Sequence, residues 1–364
     1  MNDGYMKRAA ELALKGAGRT APNPMVGAVI VKDGRIIGEG YHEKCGGLHA
    51  ERNALKSCVE SPRGADMYVT LEPCCHTGRT PPCTEAIIEN KIKRVFYGSG
   101  DPNPLVSGKS RRILEDAGIE VIPGIMKEEC DKINPVFFHY IRTGTPYVVM
   151  KYAMTADGKI CTVSGNSKWI TGEKSRGNVH MTRRNLSAIM VGIGTVLHDD
   201  PILNCRCDDP IDPIRIICDS RLRIPEECNI VKTAGDIETY VAACEENRDK
   251  IKFLENKGIK VIITGQDNGR VDLKELMNIL GKAGIDSILL EGGGELNFSA
   301  LDAGIVSKVQ AYIAPKIFGG SAKSPVGGRG ADKISDAFML DNAGVHIFGE
   351  DIMIEWEAVK CLRD

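Results

Sequence analysis

The chain has 364 residues, 42% hydrophobic and 26% charged, with a net charge of -2. That length exceeds one typical domain and predicts two. The near-neutral balance lacks the electrostatic footprint of a nucleic-acid binder, no apolar run reaches transmembrane length, and Met1-Asn2-Asp3-Gly4 opens no signal segment. Thirteen cysteines, an odd count in a long chain, read as reduced thiols of a cytoplasmic enzyme.

In chain order, Met6 to Lys15 predicts a helix, with Met6, Ala9, Ala10, Ala13 and Leu14 on one stripe. Thr20 to Pro24 breaks it. Val26 to Val31 predicts a strand, and Asp33-Gly34 a hairpin turn into Arg35 to Gly38. A helix is expected from His49 to Cys58 and a buried strand from Met67 to Leu71, after which Pro73-Cys74 is expected to open a second helix. Arg94 to Ser99 is the next strand, Arg111 to Ala117 a helix and Ile119 to Ile122 a strand; Ile125 to Tyr140 is helical with a break at Pro135. Arg142 to Pro146 reads as a linker, dividing 1–144 from 145–364.

The chemistry of the first half sits between His49 and Cys83. His49-Ala50-Glu51, Pro73-Cys74 and Cys83 offer one imidazole, one carboxylate and two cysteines. Three such ligands hold Zn²⁺ and leave a fourth position for water, and a neighbouring carboxylate can shuttle protons. A structural zinc is the competing reading, with Cys75 or His76 as fourth ligand, but it gives Glu51 no role. Zinc nucleobase deaminases carry H-x-E followed by P-C-x-x-C. Here the second cysteine falls nine positions after Cys74, at Cys83, with Cys75 an immediate competitor. Asn23 and His42 read as loop residues on spacing alone, and Asp101 and Asn103 as turn residues beside prolines.

The second half restarts at Tyr147 to Met154, an apolar strand whose openness hints at pairing in a homo-oligomer. Asp157-Gly158 is a turn, and Asn166 to Gly172 a polar loop around Trp169. A helix follows from Glu173 to Arg184, then a strand from Ala188 to Val191. Gly192-Ile193-Gly194-Thr195 follows a strand but lacks the third glycine and the helix of a dinucleotide fingerprint. Strands recur at Arg215 to Cys218, Thr239 to Ala243, Lys260 to Ile263, Ser287 to Leu290 and Lys308 to Ala314. Helices are expected at Asp272 to Lys282 and Glu295 to Ala303, and terminal strands near Gly344 to Phe348 and Asp351 to Val359. Leu290-Glu291-Gly292-Gly293-Gly294-Glu295-Leu296-Asn297 combines a buried strand, three glycines and a helix N-terminus, which suits a pyrophosphate. Cys205-Arg206-Cys207 has no partner set to complete a second metal site.

The long Cys74-to-Cys83 loop, together with these second-half segments, resembles the bifunctional riboflavin-biosynthesis deaminase–reductases over nearly the whole chain. The resemblance implies a cytidine-deaminase-like three-layer α/β/α domain followed by a dihydrofolate-reductase-like α/β domain. It implies Zn²⁺ on His49, Cys74 and Cys83, with Glu51 catalytic. Asn23, His42, His76, Arg79, Asp101 and Asn103 match positions that contact the deaminase substrate; many relatives have Lys where Arg79 stands. On the reductase side it implies NADPH, with Lys151, Ala153, Trp169, Thr195, Asp199 and Ser220 at cofactor positions. Gly293, Gly294, Glu295, Leu296, Asn297, Phe298 and Ser299 fall on the pyrophosphate side, and the register at Ser220 can slip by one. Ser167, Arg183, Leu203, Arg206 and Glu291 match substrate positions, where the two arginines suit a ribose phosphate. The implied reactions are deamination of 2,5-diamino-6-ribosylamino-4(3H)-pyrimidinone 5′-phosphate, then reduction of its ribosyl chain to ribityl. Partners are then small pyrimidine phosphates, with neither nucleic acid nor membrane. Lys151, Asp199 and Glu291 stand unranked as proton donors. The alternatives are a deaminase with an inactive or differently directed second domain, and a zinc-containing nucleic-acid-binding or editing protein.

Overall fold

The computed structural model describes residues 3–76, 81–103 and 106–359. The chain divides into two compact units, Met1–Gly144 and Thr145–Asp364.

In the first unit the elements run α1 (Asp3–Ala13), β1 (Gly27–Lys32), β2 (Arg35–Tyr41), α2 (Ala50–Lys56), β3 (Asp66–Leu71), α3 (Cys83–Glu89), β4 (Arg94–Ser99), α4 (Lys109–Asp116), β5 (Glu120–Pro123), α5 (Lys127–Asp131) and α6 (Pro135–Thr143). The sheet order is β2-β1-β3-β4-β5. β1 pairs antiparallel with both β2 and β3, while β3, β4 and β5 are parallel. Period-two alternation sends Ala28, Ile30, Met67, Val69 and Val95 to one face. Val29, Val31, Tyr68 and Phe96 go to the other, against α1. Both faces are therefore apolar and both are covered by helices, giving the three layers. Two glycines set how closely the helices approach. A Cβ at Gly27 would lie 2.0 Å from the Ala9 carbonyl of α1, and one at Gly40 2.3 Å from the Ala54 nitrogen of α2.

The second unit runs β6 (Tyr147–Thr155), α7 (Glu173–Asn185), β7 (Ala188–Gly192), α8 (Ile193–Asp199), β8 (Ile214–Cys218), α9 (Asn229–Lys232), β9 (Thr239–Ala243), α10 (Arg248–Asn256), β10 (Ile259–Ile263), β11 (Gln266–Asp267), β12 (Arg270–Val271), α11 (Leu273–Lys282), β13 (Ser287–Leu290), α12 (Gly294–Asp302), β14 (Val306–Ala314), β15 (Leu340–Phe348) and β16 (Asp351–Ala358). Nine strands form one sheet in the order β10-β9-β8-β7-β13-β6-β14-β16-β15. The seven from β10 to β14 are parallel, and β16 and β15 close the sheet antiparallel. Asp351 is buried at the head of β16 and accepts hydrogen bonds from the Gly172 N–H (2.7 Å) and the Ser175 hydroxyl (2.5 Å), fixing the start of α7.

Several expectations are corrected. Pro73-Cys74 opens no helix; the helix begins at Cys83, after Pro82 as its N-cap, because Pro81-Pro82 presets the entry turn. β6 is no open edge but lies between β13 and β14, since an apolar run is what a strand buried on both faces requires. Gly192 does lead into a helix, α8. Sequence reasoning also passed over α9, α10 and the β11–β12 ribbon.

Arg215 on β8 is fully buried and donates to the Thr233 and Thr239 hydroxyls and to the carbonyls of Ile202, Ile230 and Ile237. Burial lowers its pKa to about 10. Arg215→Ala strands these acceptors, and a loss of about 3 kcal/mol or more is expected in denaturant unfolding of the second unit. A loss under about 1 kcal/mol would mean that the acceptors find other partners.

Candidate functional site

In the first unit, α2 begins at the metal motif, with His49 as its N-cap residue. α3 begins at Cys83, whose backbone N–H donates to Cys74 Sγ (3.3 Å) while Thr84 N–H donates to the Cys74 carbonyl (3.2 Å). Arg52 of α2 holds the approach to Cys83 by donating to the Pro81 and Pro82 carbonyls. His49 Nδ1 lies 3.4 Å from the sulfurs of both Cys74 and Cys83, and the three ligand atoms fall within 4.8 Å of one another. Tetrahedral zinc bonded at ordinary Zn–S and Zn–N lengths separates such atoms by roughly 3.6 Å, so the donor set fits. Hydrogen bonds from Cys83 and His49 outweigh burial and bring the Cys74 thiol down to about 4. Glu51 is 3% exposed; burial and the neighbouring Cys74 raise its carboxyl above the usual range. A proton carrier is expected to have that environment.

Around this group the structure gathers most of the expected substrate side. Asn23 Nδ2 lies 3.2 Å from His42 Nε2, and His42 Nδ1 lies 3.0 Å from the Leu48 carbonyl. Nδ1 therefore carries the proton, Nε2 accepts from Asn23, and burial holds the ring neutral. The His42 and His49 rings meet edge-on at 5.4 Å. Asp101 is buried and raised to about 6 by that burial, with Glu72, His76 and Cys74 as charged neighbours, and it accepts the Asn103 N–H at 2.8 Å. His76 is exposed. Arg79 lies outside the described residues. Sequence reasoning missed Glu72, buried one residue before Pro73, which accepts the N–H groups of Asp101 and Gly108 at 3.3 Å each.

Removing one ligand should empty the centre. Cys83→Ser is expected to lower zinc content, measured by elemental analysis, about 10- to 100-fold or more at limiting metal. Full retention of zinc would dismiss Cys83 as a ligand.

In the second unit a cavity of about 960 Å³ opens at the carboxyl ends of the parallel strands, where open α/β sheets place ligands. Lys151, Ala153 and Ser167 line it at the β6 end; Thr195 and Asp199 come from α8 and Ser220 from beyond β8. Glu291, Gly293, Gly294, Glu295, Leu296, Asn297 and Ser299 line its centre. A Cβ at Gly293 would meet nothing within 4 Å, so bare backbone faces the space. The loop at 324–328 is strapped to α12: Gly327 N–H donates to the Gly294 carbonyl, Asn297 to the Pro325 carbonyl, and Gly328 N–H to Glu295. The open backbone at a helix start fits a pyrophosphate.

Two expected cofactor residues stand apart from the lining. Phe298 packs against Phe338, and Trp169 is 62% exposed with the Arg176 guanidinium over its ring. On the substrate side, Arg183 makes a bidentate ion pair with Glu291 (both 2.9 Å) and donates to the Asn204 carbonyl. Lys151 Nζ lies 3.9 Å from Glu291. Burial opposes the Glu291 charge, but Arg183 and Lys151 prevail and hold the carboxyl down to about 2. Leu203 is buried with φ 59°, a left-handed conformation that a bulky residue rarely adopts. Arg206 contacts the ring of His180, a residue missed from sequence. Burial, then Arg183 and Arg206, lower His180 to about 4. The readable signal was its position, three residues before Arg183 on one helix face. Cys205 and Cys207 lie 3.3 Å apart, and among the described residues the only metal-capable group is His49, Cys74 and Cys83.

Comparison with known proteins gives these two sites their class. Residues 1–99 match the cytidine and deoxycytidylate deaminase zinc-binding region, and residues 146–354 match the RibD C-terminal domain. These matches define a two-part enzyme, a zinc deaminase followed by a reductase. The riboflavin biosynthesis protein RibD of Actinobacillus pleuropneumoniae is 54% identical over 359 residues, 98% of this chain and 96% of that one. The RibD of Escherichia coli is 39% identical over 363 residues, 96% and 97% of the two chains. Among solved structures, the Thermotoga maritima diaminohydroxyphosphoribosylaminopyrimidine deaminase/5-amino-6-(5-phosphoribosylamino)uracil reductase matches with a TM-score of 0.86 and 38% identity over 98% of each chain. Acinetobacter baumannii RibD matches with a TM-score of 0.88 and 37% identity, again over 98% of each. The chain belongs to the RibD family, bifunctional enzymes of riboflavin biosynthesis that use zinc and NADPH.

Proposed function

We propose that the Met1–Gly144 unit deaminates 2,5-diamino-6-ribosylamino-4(3H)-pyrimidinone 5′-phosphate and that the Thr145–Asp364 unit reduces the product's ribosyl chain to ribityl. The observation that carries the first step is the convergence of His49, Cys74 and Cys83 beside buried Glu51. His49, Cys74 and Cys83 hold zinc, which when bound supplies Lewis acidity and acidifies water. Glu51 takes a proton and delivers it toward the departing ammonia. Asn23, held against neutral His42, and Asp101 with Asn103 orient the pyrimidine; His76 and Arg79 belong to the same substrate side. For the second step, NADPH supplies hydride. Gly293, Gly294, Glu295, Leu296, Asn297 and Ser299 bind its pyrophosphate, with Lys151, Ala153, Thr195, Asp199 and Ser220 along the rest. Glu291 fixes Arg183, and Arg183 with Arg206, Ser167 and Leu203 receives the sugar phosphate. Of the three proton-donor candidates, Lys151 lies beside Glu291 and is lowered by burial, which eases release of its proton.

The test is a product mass spectrum with and without NADPH. Replacement of an amine by oxygen without NADPH, and gain of two hydrogens only with it, supports both assignments. Deamination alone would demote the second unit, and unchanged substrate with zinc bound would overturn the reading.

A homo-oligomer joined through β15 is part of this reading, because that edge strand exposes Val345 (64%) and Ile347 (75%); light scattering tests it. We also assign the enzyme to the cytoplasm, in keeping with the described cysteines, which are not joined in disulfides. No helix among the described residues is long and apolar enough to cross a membrane.

A further inference from the structure

Resting on the reading of the large cavity as the NADPH site, we infer that Arg223 recognises the 2′-phosphate of the cofactor's adenosine and sets the preference for NADPH over NADH. The sheet order supplies the placement. Across the cavity the strands run β6, β13, β7, β8, so the β6 and β8 ends are three spacings apart, roughly 14 Å. The pyrophosphate cradle lies between them, at the β13–α12 turn. The buried Lys151, Glu291 and Arg183 cluster marks the β6 end as the place of chemistry, which sends the adenosine to the β8 end.

At that end the cavity wall carries Ser220, Arg223 and Arg270. Arg270 is already engaged, donating to Glu295 (2.8 Å) and Ser299 (3.3 Å). Arg223 keeps 57% of its side chain exposed, and its carboxylate neighbour, Asp219, lies 3.9 Å away on the Nε side. That geometry leaves the Nη atoms for a ligand anion. Asp219 itself is fully buried: Oδ2 accepts the Ile224 N–H at 2.7 Å, and Oδ1 has no hydrogen-bond partner among the described residues. An accessible acid at this kind of strand end binds the ribose diol of NADH, whereas a nearby arginine accommodates the 2′-phosphate. Here the acid is shut away and the arginine stands in front of it.

The experiment is direct binding, by calorimetry, of NADP⁺, NAD⁺, 2′,5′-ADP and 5′-AMP to the full chain and its variants. Arg223→Gln is expected to weaken NADP⁺ and 2′,5′-ADP about 10- to 100-fold, while NAD⁺ and 5′-AMP change less than about twofold. Arg223→Lys should restore part of the difference. Equal weakening of phosphorylated and unphosphorylated ligands would make Arg223 a structural residue and overturn the inference. So would unchanged discrimination, or its loss in Arg270→Gln with Arg223→Gln unaffected. Failure of the unaltered protein to bind NADP⁺ would instead remove the cavity assignment, and this inference with it.

Discussion

Glu51→Gln should retain zinc and lose deamination about 100- to 10,000-fold, the range that proton transfer by a placed side chain contributes. The substitution keeps the size of a side chain that is only 3% exposed and removes only its ability to exchange a proton. Three measurements separate the possibilities: metal content, the amine-to-oxygen conversion, and NADPH-dependent reduction of deaminated intermediate supplied directly. Zinc present, conversion lost and reduction intact is the expected pattern, since the second site belongs to the other compact unit. Loss of zinc would make Glu51 a structural support for the centre. Full activity would remove it from the chemistry.

Glu291→Gln should be the most damaging single change in the reductase unit. It leaves Arg183 and Lys151, 12% and 16% exposed, without their carboxylate. Breaking a buried ion pair from one side costs about 3–5 kcal/mol, and the reduction step should fail with it. The double variant Glu291→Gln, Arg183→Met removes one stranded charge and should regain stability without regaining activity. The same network gives a pH signature. Glu291 is held from 4.5 down to about 2, so its stabilising contribution is complete above pH about 4.5 and is lost as pH falls through about 2. In Glu291→Gln that acid-side loss should shrink; an unchanged acid transition would show that other carboxylates govern it.

The sheets and the metal centre were largely legible because their signals are local. Short apolar runs located β1, β3 and β4, and a histidine two residues before a glutamate located the head of α2. The misreadings share a cause, since local pattern does not say what lies alongside. Tyr147 to Met154 looks the same as an open edge or as a strand between two others. Pro73-Cys74 resembles a helix start until Pro81-Pro82 claims that role. α10 was missed although Asn247 caps it by accepting the Lys250 N–H, because Arg248 to Asn256 is dominated by charge. The lining pair Arg223 and Arg270 shares one wall only through the β8 and β12 placement, which no sequence spacing announces.

The clamp of Asp351 on Gly172 and Ser175 also orders events during synthesis. A ribosome adds Asp351 179 positions after Gly172, roughly 10 to 35 s later at ordinary elongation rates. Throughout that interval α7, with His180 and Arg183, is without the acceptor that fixes its first turn. The deaminase sheet, by contrast, is complete before the second unit's first strand emerges. In a nascent chain, the reductase half is therefore the one left open to proteases and chaperones.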